Sequence, residues 1–219
     1  MAKIQYLLVD LDDTIYTDTT GLFIEVKERI ETWLSRALEI SPEQAKTLRG
    51  AYYRAYGTTM SGLQHHHPEA DIDAYLEDVH RVDVSRYLQP NPALAEMLRR
   101  FPVEKVVFTN ATTDWAERIL RQLGVRDCFS QIVDVRAVDY VSKPFPEAYR
   151  RLLARLNVPG EACVLVDDQV RNLKAGAEFG MRTILVRAGV LPEDGVEFAV
   201  SDILEIEPIL EELLLLYGA

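Results

Sequence analysis

Tyr6-Leu7-Leu8-Val9-Asp10-Leu11-Asp12-Asp13-Thr14 is the stretch on which the fold turns. Its apolar run does not alternate with polar residues, so it reads as a strand buried on both faces of a parallel sheet. The run then ends in carboxylates. A period of two puts Asp10 and Asp12 on one side of the chain and Leu11 on the other. Carboxylates at the carboxyl end of a buried parallel strand are costly unless a cation compensates them, and open α/β sheets bind ligands at that end. The plainer alternative is an Asp-rich turn. A calcium loop is excluded, because Ile15 and Gly21 stand where it needs Gly and Glu.

Further along the chain, Val103–Phe108, Cys163–Val166 and Thr183–Val186 read as strands of the same buried kind, with weaker runs at Ile132–Val135 and Glu197–Val200. Helical periodicity lies between them, at Asp114–Leu123 before Gly124, at Pro146–Leu156, and at Leu173–Phe179 before Gly180. This alternation predicts an α/β fold with a Rossmann-like parallel-sheet core. Residues 18–89 carry no strand-like run, which predicts an all-helical cap inserted after the first strand, with residues 1–17 and 90–219 as the core. Ser41-Pro42-Glu43-Gln44 reads as a capping box opening a helix toward Tyr56. Gly57 and Gly62 are expected to flank a loop, Ile72–His80 to be helical, and Pro90 and Pro92 to mark the return to the core.

The chain has 219 residues, with 24 Lys and Arg against 35 Asp and Glu, for a net charge of −11. That balance weighs against nucleic acid and anionic membrane as partners. Cys128 and Cys163 have apolar neighbours and suit buried thiols in a reducing compartment. The first residues lack the apolar length of a signal peptide, and Glu205, Glu207, Glu211 and Glu212 make the last apolar stretch amphipathic. A soluble, cytoplasmic protein is expected.

Elimination narrows the chemistry. The sequence has no G-x-G, no P-loop, no G-x-S-x-G and no H-E-x-x-H, and neither cysteine begins a cysteine-phosphatase loop. All four histidines fall in the predicted cap. Carboxylates remain at the strand ends, joined by three other signals. Thr109 and Asn110 close the second strand, where a hydroxyl and backbone N–H groups can hold an anion or simply make a turn. Lys143-Pro144 precedes a helix, as a surface charge or as the neutralising partner of an acid cluster. Asp167-Asp168 ends the strand before Asn172, with Asp168 alternatively an N-cap.

In this order the motifs DLDDT, FTN, KP and VDD-x-x-x-N resemble the haloacid dehalogenase superfamily, in particular its Mg-dependent phosphatases. The opening DLDDTIY, Ala51–His67, Tyr87–Leu98, VSKPFPEAY and VDDQVRNLKAGAEFGM are similar to its pyrimidine 5′-nucleotidase subfamily. The resemblance implies Asp10 as a nucleophile forming an aspartyl phosphate on a phosphomonoester, and Asp12 as general acid and then base. It implies Mg2+ held by the Asp10 carboxylate, the Asp12 backbone carbonyl and Asp167, with Asp168 close by. It also implies that Thr109, the Asn110 backbone and Lys143 clamp the phosphoryl oxygens, and that Thr14 braces the Asp12 loop. Tyr52, Tyr56, Gly57, Met60 and His67 are the cap candidates for a nucleobase, Tyr52 and Tyr56 being alternatively cap core. His65–His67 is expected to be a solvated run on a loop. A sugar-phosphate phosphatase or phosphomutase is the alternative on the same scaffold. A 2-haloacid dehalogenase would leave Asp12, Asp167 and Asp168 idle, and a non-catalytic binding module would have no use for adjacent uncompensated carboxylates.

Overall fold

The computed structural model describes residues 2–189, 192 and 195–218, so Met1 and Ala219 at the ends of the expected core lie outside it. Strands β1 (Tyr6–Val9), β2 (Glu104–Phe108), β3 (Gln131–Val133), β4 (Cys163–Asp167), β5 (Arg182–Val186) and β6 (Phe198–Val200) form one sheet, ordered β3-β2-β1-β4-β5-β6. Every pairing is parallel, and Tyr6 of the central strand pairs with Glu104 on one side and Cys163 on the other. Side chains alternate between two cores. Leu7, Val9, Val107, Val164 and Val166 face one hydrophobic cluster, while Leu8, Val106, Phe108, Cys163 and Leu165 face the other. Burial on both faces is why these runs do not alternate in hydrophobicity.

Helices α1 (Leu22–Ala37), α2 (Pro42–Tyr56), α3 (Thr59–His66) and α4 (Ile72–Val79) lie in sequence between β1 and β2 and form the cap. They share a third cluster that includes Trp33, Tyr52, Met60, Leu63 and Tyr75. In the core, α5 (Pro92–Arg100), α6 (Thr113–Leu123) and α9 (Glu207–Tyr217) pack on the first face, and α7 (Pro146–Leu156) and α8 (Val170–Ala177) on the second. Among the described residues no helix is long and apolar enough to cross a membrane. Cys163 is buried and Cys128 is half-buried, both as free thiols.

The Ser41 capping box forms as expected, with Gln44 N donating to Ser41 Oγ at 3.3 Å and Ser41 N to Gln44 Oε1 at 2.8 Å. The expected loop between Gly57 and Gly62 does not form. Thr58 caps α3, and Gly62 lies inside that helix, where an added Cβ would come within 2.2 Å of Tyr52 Cγ. Gly62 is thus a close-approach residue between α2 and α3, and helix-breaking composition gave way to packing. For the same reason His65 and His66 are helical rather than on a loop. Gly57 ends α2 at φ 84°, and its backbone lies so close to Pro144 that a Cβ would sit 2.5 Å from Pro144 Cδ. Helix α8 starts at Val170, earlier than expected, with Gln169 and not Asp168 at its N-cap.

Candidate active site

The site lies where β1, β2 and β4 end side by side. Asp10 N continues the ladder to Val166 O at 2.9 Å, which brings its carboxylate beside the end of β4. Lys143 Nζ donates to Asp10 Oδ1 at 2.8 Å, Asp167 Oδ2 at 2.7 Å and Phe108 O at 2.7 Å. That ammonium has three acceptors and its side chain is 1% exposed, so the surface-charge reading of Lys143 fails. The Asn110 amide holds the lysine's backbone in place. Its Nδ2 donates to Lys143 O at 3.1 Å, and its Oδ1 accepts from Lys143 N at 2.7 Å. Thr109 Oγ1 accepts from Ala111 N at 3.0 Å, which leaves the hydroxyl proton to donate. Thr14 Oγ1 reaches Asp10 Oδ2 at 3.4 Å.

Asp167 is fully buried and well satisfied. Gln169 N donates to its Oδ1 at 2.8 Å, and Asn172 Nδ2 lies 2.9 and 3.1 Å from its two oxygens. Asn172 sits near the start of α8, so the spacing in VDD-x-x-x-N returns its amide to the preceding strand end; the sequence reading assigned it no role. Asp168 accepts from Gln169 Nε2 and lies 3.9 Å from Arg187 Nη2. Asp12 stays out of this ammonium–carboxylate cluster: its Oδ1 accepts from Tyr16 OH at 2.5 Å and Trp115 Nε1 at 2.9 Å.

Burial pushes the Asp10 carboxyl up to about 7, with Lys143 opposing and Asp167 adding repulsion. Burial, then Asp167 and Asp10, push Asp168 up to about 8. Asp12 is also raised by burial, against the hydrogen bonds from Tyr16 and Trp115. For Lys143 burial acts to lower the value, but Asp10 and Asp167 outweigh it and keep the amine protonated. One ammonium thus faces an excess of carboxylate.

Oxygens of Asp10, Asp167 and Asp168 lie within 4.8 Å of one another, and the buried Asn172 Oδ1 has no hydrogen-bond partner among the described residues. An all-oxygen donor set with unmatched negative charge fits a hard divalent cation such as Mg2+. The Asp12 carboxylate is not in that group, so only its backbone carbonyl remains a candidate ligand.

A pH dependence of stability follows from these carboxylates. A carboxyl raised from an ordinary 3.8 to about 7 or 8 holds its proton more tightly when folded, so its contribution is lost as pH rises through those values. Buried His80, lowered by burial and Arg118 to about 3, acts in the opposite sense but only below its ordinary 6.5. Metal-free protein should therefore melt at lower temperature at pH 8.5 than at pH 6.5, its stability falling by up to about 1.4 kcal/mol per pH unit for each extra proton held. Added Mg2+ should raise the midpoint most at the higher pH. A midpoint that is flat or rises across this window would contradict the assignment.

Above the carboxylates is a cavity of about 390 Å³, floored by Asp10, Thr109, Lys143 and Asn172 and walled by cap residues including Phe23, Ile30, Tyr53, Met60 and Leu76. Of the cap candidates, Gly57 and Met60 line it. Tyr56 and His67 do not: Tyr56 OH pairs with His66 Nε2 at 2.8 Å, and His67 Nε2 with Tyr52 OH at 3.1 Å, away from the cavity. Tyr52 and Tyr56, four apart, share a helix face turned to α3, whereas Tyr53 faces the cavity. Tyr53 also joins cap to core. Its hydroxyl donates to Gln169 Oε1 at 2.8 Å, and Arg171 stacks 3.9 Å from its ring while donating to Tyr53 O and Gly57 O at 2.7 and 3.0 Å.

A family model described as haloacid dehalogenase-like hydrolase matches residues 4–180. The chain belongs to this family. Among similar proteins of this kind, an N-acetylmuramic acid 6-phosphate phosphatase of Pseudomonas aeruginosa is 24% identical over 94% of this chain and 92% of its own. A glyceraldehyde 3-phosphate phosphatase of Methanocaldococcus jannaschii is 23% identical over 96% of this chain and 98% of its own. Phosphate metabolism protein 8 of Saccharomyces cerevisiae is 22% identical over 80% of this chain, which spans only 59% of that relative's length. The fold is also that of the HAD-hydrolase YfnB from Bacillus subtilis bound to magnesium, with a TM-score of 0.63 at 19% identity over 95% of this chain and 99% of that one. These relatives include sugar-phosphate phosphatases, so family membership supports a phosphate-ester hydrolase and leaves the pyrimidine nucleotide as the finer reading.

Proposed function

We propose that this haloacid dehalogenase-like hydrolase cleaves phosphomonoesters through an aspartyl phosphate on Asp10. The observation that carries this is the Asp10 carboxylate, paired with buried Lys143 at the floor of a cavity. One Asp10 oxygen forms a bond to phosphorus as the ester P–O bond breaks, and Asp12 gives its proton to the departing alkoxide. Water then attacks the phosphorus, Asp12 takes its proton, and the Asp10 oxygen leaves with its electron pair to release inorganic phosphate. The Thr109 hydroxyl holds a phosphoryl oxygen. The Lys143 ammonium, whose three N–H groups go to Asp10, Asp167 and Phe108 O, acts on the phosphoryl oxygens as a buried positive charge where negative charge spreads in the transition state. Asp10, Asp167 and Asp168 would hold a magnesium ion, which when bound would supply further neutralisation of the charge on those oxygens.

The cap wall supports a flat leaving group. Phe23, Tyr53 and Met60 give the cavity aromatic and apolar surface suited to a pyrimidine base, and Lys27, Arg49, Thr58 and Thr59 line it beside them with polar groups that a sugar's hydroxyls can use. The sugar-phosphate reading is favoured by the sequence relatives. Phosphate release from UMP, CMP, AMP, glucose 6-phosphate and glyceraldehyde 3-phosphate, with Mg2+ or EDTA, separates the two. Preference for UMP or CMP supports the nucleotide reading, and preference for the sugar esters replaces it. No Mg2+-dependent release from any ester would overturn the hydrolase proposal.

A further inference from the structure

Asp12 is gripped by one oxygen. Tyr16 OH and Trp115 Nε1 both donate to Oδ1, from the same loop and from α6 respectively, and neither is paired with Oδ2. In a carboxylic acid the oxygen that accepts two hydrogen bonds is the carbonyl oxygen, so the proton belongs on the other. Asp12 itself lines the cavity.

The indole is held in turn by the segment where the cap rejoins the core. His80, which ends α4, stacks on Trp115 with ring centroids 5.0 Å apart and planes 20° from parallel. Arg118 lies 5.1 Å from the indole and donates to His80 O and Val82 O at 2.5 and 2.9 Å. Trp115 is fully buried. Its N–H direction is therefore fixed by the cap junction.

We propose that Trp115 and Tyr16 are positioning residues that keep the transferable proton of Asp12 on Oδ2, facing the ester oxygen. The proposal rests on the phosphatase reading above. In the first step the Oδ2–H proton passes to the ester oxygen as its bond to phosphorus breaks, which matters for an alkoxide and little for a leaving group that departs unprotonated.

The test compares kcat/KM for p-nitrophenyl phosphate with that for the alkyl phosphate the wild type cleaves best, in Trp115→Phe and Tyr16→Phe. Both variants should lose about 10- to 100-fold on the alkyl ester through kcat, with KM little changed, and less than about threefold on the aryl ester. Tyr16→Phe removes only a hydroxyl, so it carries the same expectation even if Trp115→Phe does not fold. Equal losses on the two esters, or no loss on either in folded protein, would overturn the positioning role while leaving the hydrolase reading intact. A wild type that cleaves neither ester with Mg2+ would overturn that reading and this proposal together.

Discussion

Asp10→Asn should abolish phosphate release, lowering kcat/KM by about 10⁴-fold or more, while the protein remains folded. The magnitude is that of removing a nucleophile whose partners act only through it. Asn keeps the shape and a hydrogen-bond acceptor for Lys143, so the geometry at the strand end survives. The charge is what disappears. Asp10 is disfavoured as an anion by burial and by Asp167, and Lys143 retains Asp167 as a partner. The metal-free variant should therefore melt at or above the wild-type temperature at pH 8. Activity within tenfold of wild type would place the nucleophile elsewhere. A large fall in melting temperature would mean that the Asp10–Lys143 pair holds the fold together more than the charge excess strains it.

Lys143→Met should cost both stability and activity. The ammonium is enclosed between two buried carboxylates, and breaking such a pair from one side leaves uncompensated charge, at about 3–5 kcal/mol. Turnover should fall by at least about 10²- to 10³-fold, the usual loss for one group that stabilises developing transition-state charge. Thermal or urea unfolding of single and double variants tells whether the loss is electrostatic. If it is, Asp10→Asn combined with Lys143→Met should be more stable than Lys143→Met alone, because one of the opposed carboxylates has gone. A double variant at least as unstable as the sum of the two singles would mean that the lysine's aliphatic packing is what matters.

The sheet was legible in the sequence because both of its faces are covered. Runs such as Leu7-Leu8-Val9 have no polar alternation and break abruptly at Asp10, so strands and ligand end were marked by the same residues. Asp10 and Asp167 were marked for the related reason that a carboxylate at such a strand end has few ordinary uses, whereas Thr109 and Lys143 also read as a turn residue and a surface charge and were singled out only by the order of the motifs. What was not legible depends on which way a helix is turned. Tyr52, Tyr53 and Tyr56 are equally aromatic, and only packing against α3 sends Tyr53 to the cavity and the other two away from it. Gly62 reads as a loop residue until the Tyr52 ring is placed above it. Trp115 stands far along the chain from Asp12, on a helix whose apolar face already accounts for a tryptophan, so nothing local marked its N–H as a partner for the acid.

The central placement of β1 bears on how the protein comes to be folded. Tyr6 must find Glu104 on one side and Cys163 on the other, so the middle of the sheet closes two of the longest loops in the chain. Closing long loops costs entropy before any contact rewards it, and folding slows as such pairings dominate. The cap cluster, drawn almost wholly from a continuous stretch of chain, faces no such delay. Asp10, Lys143 and Asp167 meet only when the three central strands are aligned, so the repulsion between the two carboxylates and the lysine pairing that opposes it both enter late, after most of the apolar surface has been buried. Catalytic competence is then a reporter of complete folding, and a chain stalled with an ordered cap and an open sheet would be silent.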